Sequence, residues 1–94
     1  MIAHLAFDIV LPDSGSLKDK RQVLRSLRDR LRGRYNIAFA EMDYQDLWQR
    51  ARIEIVSVSS SRQLLEQMCQ KVMDEVEEIA GLEAVHDCSL DFIE

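Results

Sequence analysis

One proline and three glycines in 94 residues leave little material for long or irregular loops. Aromatic residues make up only 6% of the chain, with a single tryptophan, Trp48. The two cysteines, Cys69 and Cys88, form no CxxC and have no histidine at ligand spacing, so no metal site is expected from them. They read instead as a pair of buried thiols in a reducing cytosol. No apolar run approaches the roughly 20 residues of a membrane helix. The apolar-leaning first eleven residues are interrupted by His4 and Asp8 and follow no basic stretch, so neither a signal peptide nor a membrane partner is expected. There is no GxxxxGK[ST] nucleotide loop, no internal repeat and no low-complexity segment.

What is present is ordinary globular material, 47% apolar and 31% charged, of a length that suits one domain over residues 1–94. Charge is the exception. Positive residues are the minority, and the chain sums to -5. Yet Ser16–Arg34 holds eight of the twelve basic residues and only two acids. A basic segment sits in an acidic body.

In chain order, Met1 to Leu11 alternates, with Ala3, Leu5, Phe7 and Ile9 on one face, and reads as a strand. Pro12 to Gly15 is a turn. Ser16 with Asp19 is a capping-box pattern that starts the first helix, whose packed side is Leu17, Val23, Leu24, Leu27 and Leu31 and whose stop is Gly33. Asn36 to Asp43 and Leu47 to Ser59 read as two strands joined by a hairpin. Ser60 with Gln63 opens a second helix, which Gly81 ends, and Glu83 to Ile93 reads as a last strand with Ala84, His86, Cys88, Leu90 and Phe92 facing the helices. The order is that of a split βαβ unit. The expected fold is an α+β, ferredoxin-like βαββαβ sandwich: a four-stranded antiparallel sheet with two helices on one face. Strands 1 and 3 would be central and the other sheet face open.

Lys18, Arg21, Arg25, Arg28 and Arg32 fall within about 80° of helical arc and form a stripe beside the packed face. Such a stripe suits a phosphate backbone, where each contact releases counterions. Solvation, pairing with the acidic second helix, or an acidic protein partner would explain it as well. Lys20 projects from the packed side, either as a stem snorkelling past the sheet edge or as part of an anion site with the Gly15-Ser16 backbone. The open face shows His4, Ala6, Asp8, Arg52, Glu54 and Val56 at its central positions, none of them aromatic, which argues against base stacking there. Its apolar members, Ile2, Val10, Ala38, Ala40, Met42, Val56 and Val58, suit a homodimer contact. With His4 on the open face and His86 on the other, no shared acid–base or metal site is expected, and no catalytic constellation can be assembled. Glu41 to Arg52 places Trp48 in the hairpin, packed down by default or displayed as a recognition residue.

Two segments resemble a known family. Ser16-Leu17-Lys18-Asp19-Lys20-Arg21 resembles the SLKEKR signature of the DUF503 (YlxP-like) proteins, with Asp19 for Glu. Ala40-Glu41 followed by Gln45-Asp46-Leu47-Trp48-Gln49-Arg50-Ala51 resembles their AE…QDLWQRA signature. The resemblance covers essentially the whole chain. It implies the same ferredoxin-like sandwich and, because such genes are often neighbours of translation and ribosome-maturation factors, a role with structured RNA or the ribosome. It supplies no catalytic residue and no cofactor. Lys20, Glu41, Asp46 and Trp48 are marked by the motifs as candidate functional positions, although the start of the first helix and the hairpin need not be adjacent. The expectation is a cytoplasmic, non-enzymatic binding protein acting through the arginine stripe, or else a homodimeric module using the open sheet face.

Overall fold

Period-two alternation sends Ala3, Leu5, Phe7 and Ile9 to one side of the first strand. In the computed structural model, which describes residues 1–94, that side is the floor of the core. The elements in order are β1 (Ile2–Val10), α1 (Leu17–Arg34), β2 (Ala38–Asp43), β3 (Arg50–Val58), α2 (Arg62–Ala80) and β4 (Val85–Ile93). The strands pair antiparallel in the order β2-β3-β1-β4, so β1 and β3 are central. Leu24, Leu27 and Leu31 of α1 and Val72 and Val76 of α2 pack on Leu5, Phe7 and Ile9 of β1 and on Ala51, Ile53 and Ile55 of β3. A smaller cluster of Ala3, Leu65 and Cys69 closes the other end of α2. The fold is the ferredoxin-like α+β sandwich, with both helices on one sheet face.

Local chemistry accounts for most element ends. The Ser16 hydroxyl accepts from the Asp19 N–H at 3.0 Å, and the Asp19 carboxylate accepts from the Gly15 N–H at 3.0 Å, so both groups satisfy donors that the helix start leaves free. Gly81 ends α2 with a φ of 103°, a conformation that a side chain would resist. Two helix ends differ from expectation, and β3 starts at Arg50 rather than Leu47. The cap of α2 is Ser61, whose hydroxyl accepts from the Leu64 N–H, rather than Ser60. Gly33 does not stop α1, which continues through Arg34 to an extended Tyr35. Tyr35 packs against the core, and its extended backbone leads into β2, so no left-handed glycine is needed.

The larger correction lies in β4. Its pairing with β1 shifts register between Ala6 and Asp8, with Asp87 at φ 51°. A bulge adds a residue to one strand, so a period-two reading carried across it is wrong by one position. Leu90 and Phe92 stay on the helix side opposite Leu5 and Ala3, but His86 lies opposite Asp8 on the open face. The two histidines therefore share a face without sharing a site: His4 bonds Glu54 at 2.6 Å, at the opposite end of β1 from His86. Nor are the thiols a buried pair. Cys69 is buried, which pushes its thiol pKa up, whereas Cys88 is exposed at the bulge.

Candidate nucleic-acid interface

At about 100° per residue, α1 has three faces with different fates. The packed face carries Leu24, Leu27 and Leu31. One flank turns to α2. There Arg30 meets Glu75 at 3.1 Å and Glu78 at 3.4 Å, and Arg34 meets Glu75 at 2.7 Å. The neighbouring Tyr35 hydroxyl, followed by the two arginines, holds the buried Glu75 carboxyl below its ordinary pKa. One of its oxygens still lacks a well-aligned hydrogen bond, as expected of a carboxylate approached mainly from one side.

The other flank is the predicted stripe, and α2 does not reach it. Lys18, Arg21, Arg25 and Arg32 are exposed and make no ion pair, and Arg28 pairs only with its neighbour Asp29 at 3.0 Å. Arg21, Arg25 and Arg28 line a groove of about 210 Å³ between α1 and the edge strand β2, with Phe39 and Glu41 in its wall. Glu75 and Glu78 of α2 are taken by Arg30 and Arg34 instead. What remains is a linear cationic groove whose one lining carboxylate, Glu41, is paired with Lys20 and not with the stripe.

Lys20 neither snorkels to solvent nor forms an anion site. It lies in the middle of the packed face and is 1% exposed. Its ammonium donates to the carbonyls of Tyr44 at 2.8 Å, Arg50 at 3.2 Å and Gln45 at 3.4 Å, and pairs with Glu41 Oε2 at 2.8 Å. Four oxygens surround three protons, so no capacity is left for an anion. The first turn of α1 and the hairpin are thereby one unit.

The hairpin itself, residues 44–49, is pinned from several sides. Tyr44 adopts a φ of 63°, and its ring carries the Arg50 guanidinium at 5.1 Å. The Gln49 amide donates to the carbonyls of Pro12 at 3.1 Å and Ser14 at 3.2 Å. With Gln49 and Arg50 held to the body of the protein, the loop leaves Leu47 49% and Trp48 54% exposed. Trp48 is displayed rather than packed down.

On the open sheet face, Asp8 is buried beneath Arg50 and Arg52. Burial alone would raise its pKa, but the hydrogen bonds from both arginines outweigh that and hold it below the usual carboxylate value. This ion cluster fills the hairpin end of the face. The apolar residues gather at the opposite end, where Ile2, Val56, Val58 and Ile93 are all exposed. Asp8, Gln49 and Arg50 were not singled out by sequence reasoning as structural partners. Gln49 and Arg50 lay inside the second motif, which was the only signal available.

The model of the family described as "Protein of unknown function (DUF503)" matches residues 2–87. The chain belongs to the DUF503 family. It is also 36% identical over 83 residues to a protein named "Uncharacterized protein YlxP" from Bacillus subtilis (strain 168), covering 88% of this chain and 90% of that one. In this DUF503 chain the segments SLKDKR and AE…QDLWQRA meet physically through Lys20, which joins Glu41 to the backbone of Tyr44, Gln45 and Arg50.

Removing that ammonium would strand a largely buried carboxylate and three carbonyls. Lys20→Met should lower unfolding free energy in urea by about 3–5 kcal/mol, the range for breaking a buried pair. It should also speed the fluorescence depolarisation of Trp48 under native conditions. A variant as stable as the parent, with Trp48 equally immobile, would show that the tie holds nothing.

Proposed function

We propose that this protein is a non-enzymatic, cytoplasmic binding protein that contacts structured RNA or ribosomal surface through the Lys18, Arg21, Arg25, Arg28 and Arg32 flank of α1. One observation supports this most: the stripe makes no ion pair with α2 or the sheet, its one partner being the exposed neighbour Asp29 on Arg28, although the chain is acidic overall. Binding is local, with the stripe toward the polyanion and α2 turned away. Arginine's planar, multidonor head suits phosphate oxygens. Two features agree with a non-membrane role: no helix is long and apolar enough to cross a bilayer, and the chain folds around one core.

Affinity for RNA should fall steeply with salt. Changing Arg21, Arg25 and Arg28 together to Glu should abolish most of it, and the slope of log affinity against log salt should shrink by roughly 2–3, one step per lost phosphate contact. Circular dichroism would verify the fold. Equal binding and an unchanged slope would remove the stripe from the account.

A second reading is favoured by the exposed cluster Ile2, Val56, Val58 and Ile93, of which the first three border a shallow cavity of about 330 Å³ at that end of the sheet. A second copy packed there would bury an apolar end of the sheet. Sedimentation should then show a dimer that Val56→Asp converts to monomer; a monomeric wild type rejects this reading.

A further inference from the structure

The strands of the open face carry no aromatic residue at their central positions, but the hairpin supplies one. An open cleft of about 730 Å³ lies beside Trp48, with Val10, Leu47, Asp46 and Arg50 in its walls. The polar groups around it are not equally available. Arg50 is held by Asp8 and by the Tyr44 ring, and the Gln49 amide is held by Pro12 and Ser14. Of the two charged groups, Asp46 alone makes no side-chain hydrogen bond and no ion pair. The cleft thus presents an exposed aromatic ring, an apolar floor and one free two-oxygen acceptor.

This cleft shares no lining residue with the arginine groove, but both border the hairpin that Lys20 holds. Glu41 lines that groove and also pairs with Lys20, whose ammonium holds the hairpin carbonyls; Arg21, the next residue of α1, is the first arginine in the groove. A strand lying along Arg28, Arg25 and Arg21 is led toward a loop already fixed in place, so little ordering cost remains to be met on binding.

Resting on the RNA reading above, we infer that the cleft takes one unpaired base of the bound RNA, stacked on Trp48, and that this base is guanine. Every base has a face that can stack, so Trp48 alone gives affinity without choice. Asp46 provides the choice. The Watson–Crick edge of guanine offers two adjacent donors, N1–H and the N2 amino group, to the two oxygens of one carboxylate. Adenine and cytosine offer a single amino group on that edge, beside an acceptor that a carboxylate repels. Unpaired bases in loops and bulges are the usual carriers of sequence information in RNA, because their edges are free. The site therefore adds a base contact to phosphate contacts that carry none.

Because Trp48 is the only tryptophan, its fluorescence reports this site without labelling. Single-stranded oligoribonucleotides of equal length, carrying one guanine, one inosine or only pyrimidines, should be titrated at low salt alongside a blunt duplex. The guanine oligomer should quench Trp48 and bind most tightly. Inosine, which lacks the N2 amino group, should bind several-fold more weakly, and the duplex should bind without quenching. Trp48→Leu, with binding read from a labelled oligomer, should weaken the guanine oligomer at least about five-fold, the low end for one base–aromatic stack. Asp46→Asn should bring guanine and inosine together. If the arginine variants lose RNA but no oligomer quenches Trp48 and Trp48→Leu binds normally, the stripe reading stands and the base site is rejected. If no oligomer binds wild type at all, both fall, and the exposed Leu47-Trp48 pair belongs to a protein partner.

Discussion

A primary ammonium with 1% of its residue surface exposed is costly unless every proton finds an oxygen, and Lys20 satisfies that condition only through the hairpin. Two of its carbonyl partners, Tyr44 and Arg50, come from opposite ends of the turn, and its carboxylate partner, Glu41, comes from β2. None of these oxygens is near Lys20 in the chain. The charge is therefore tolerable only in the folded arrangement where α1 lies over the β2–β3 hairpin. That makes the contact a device for specifying geometry as much as for stability, since an apolar residue of the same volume would fill the space without fixing the turn. The display of Leu47 and Trp48 follows from it: a loop whose backbone carbonyls are turned inward to the ammonium has these apolar side chains left outside.

The same helix separates its cations by flank. Arg30 and Arg34 are paired with Glu75 and Glu78 across the α1–α2 seam, and the stripe opposite keeps its charge. Net charge alone would suggest a protein repelled by polyanions. The distribution says otherwise, because within a screening length of roughly 8–10 Å the local field outweighs the total. The groove between α1 and β2 is where that field is concentrated, and the edge strand beside it gives the groove a wall.

Much of this was legible in the residues. Alternation in Ala3–Ile9, the Ser16–Asp19 cap and the arc containing Arg21, Arg25 and Arg28 all depend on local periodicity, and local periodicity survives folding. The element order carried the sheet topology, and the two short motifs carried the family. What was not legible depended on contacts distant in sequence or on a single irregular residue. The bulge at Asp87 reversed the face of His86, because no periodic pattern announces an inserted residue. The burial of Lys20 was hidden because its partners are mostly backbone carbonyls, which have no sequence signature. Trp48 looked like core material by type, and only the inward turn of Gln49 and Arg50 explains why it is outside. Whether the stripe was paired with α2 could not be decided from charge counts; the flank that each arginine occupies decides it.

The division of α1 into a neutralised flank and a free one is best tested by the arginine side-chain Nε–H resonances during titration with a short RNA. The signals of Arg21, Arg25 and Arg28 should shift with RNA while those of Arg30 and Arg34, held by Glu75, stay in place. Shifts centred on Arg30 and Arg34, or spread evenly over both flanks, would contradict it.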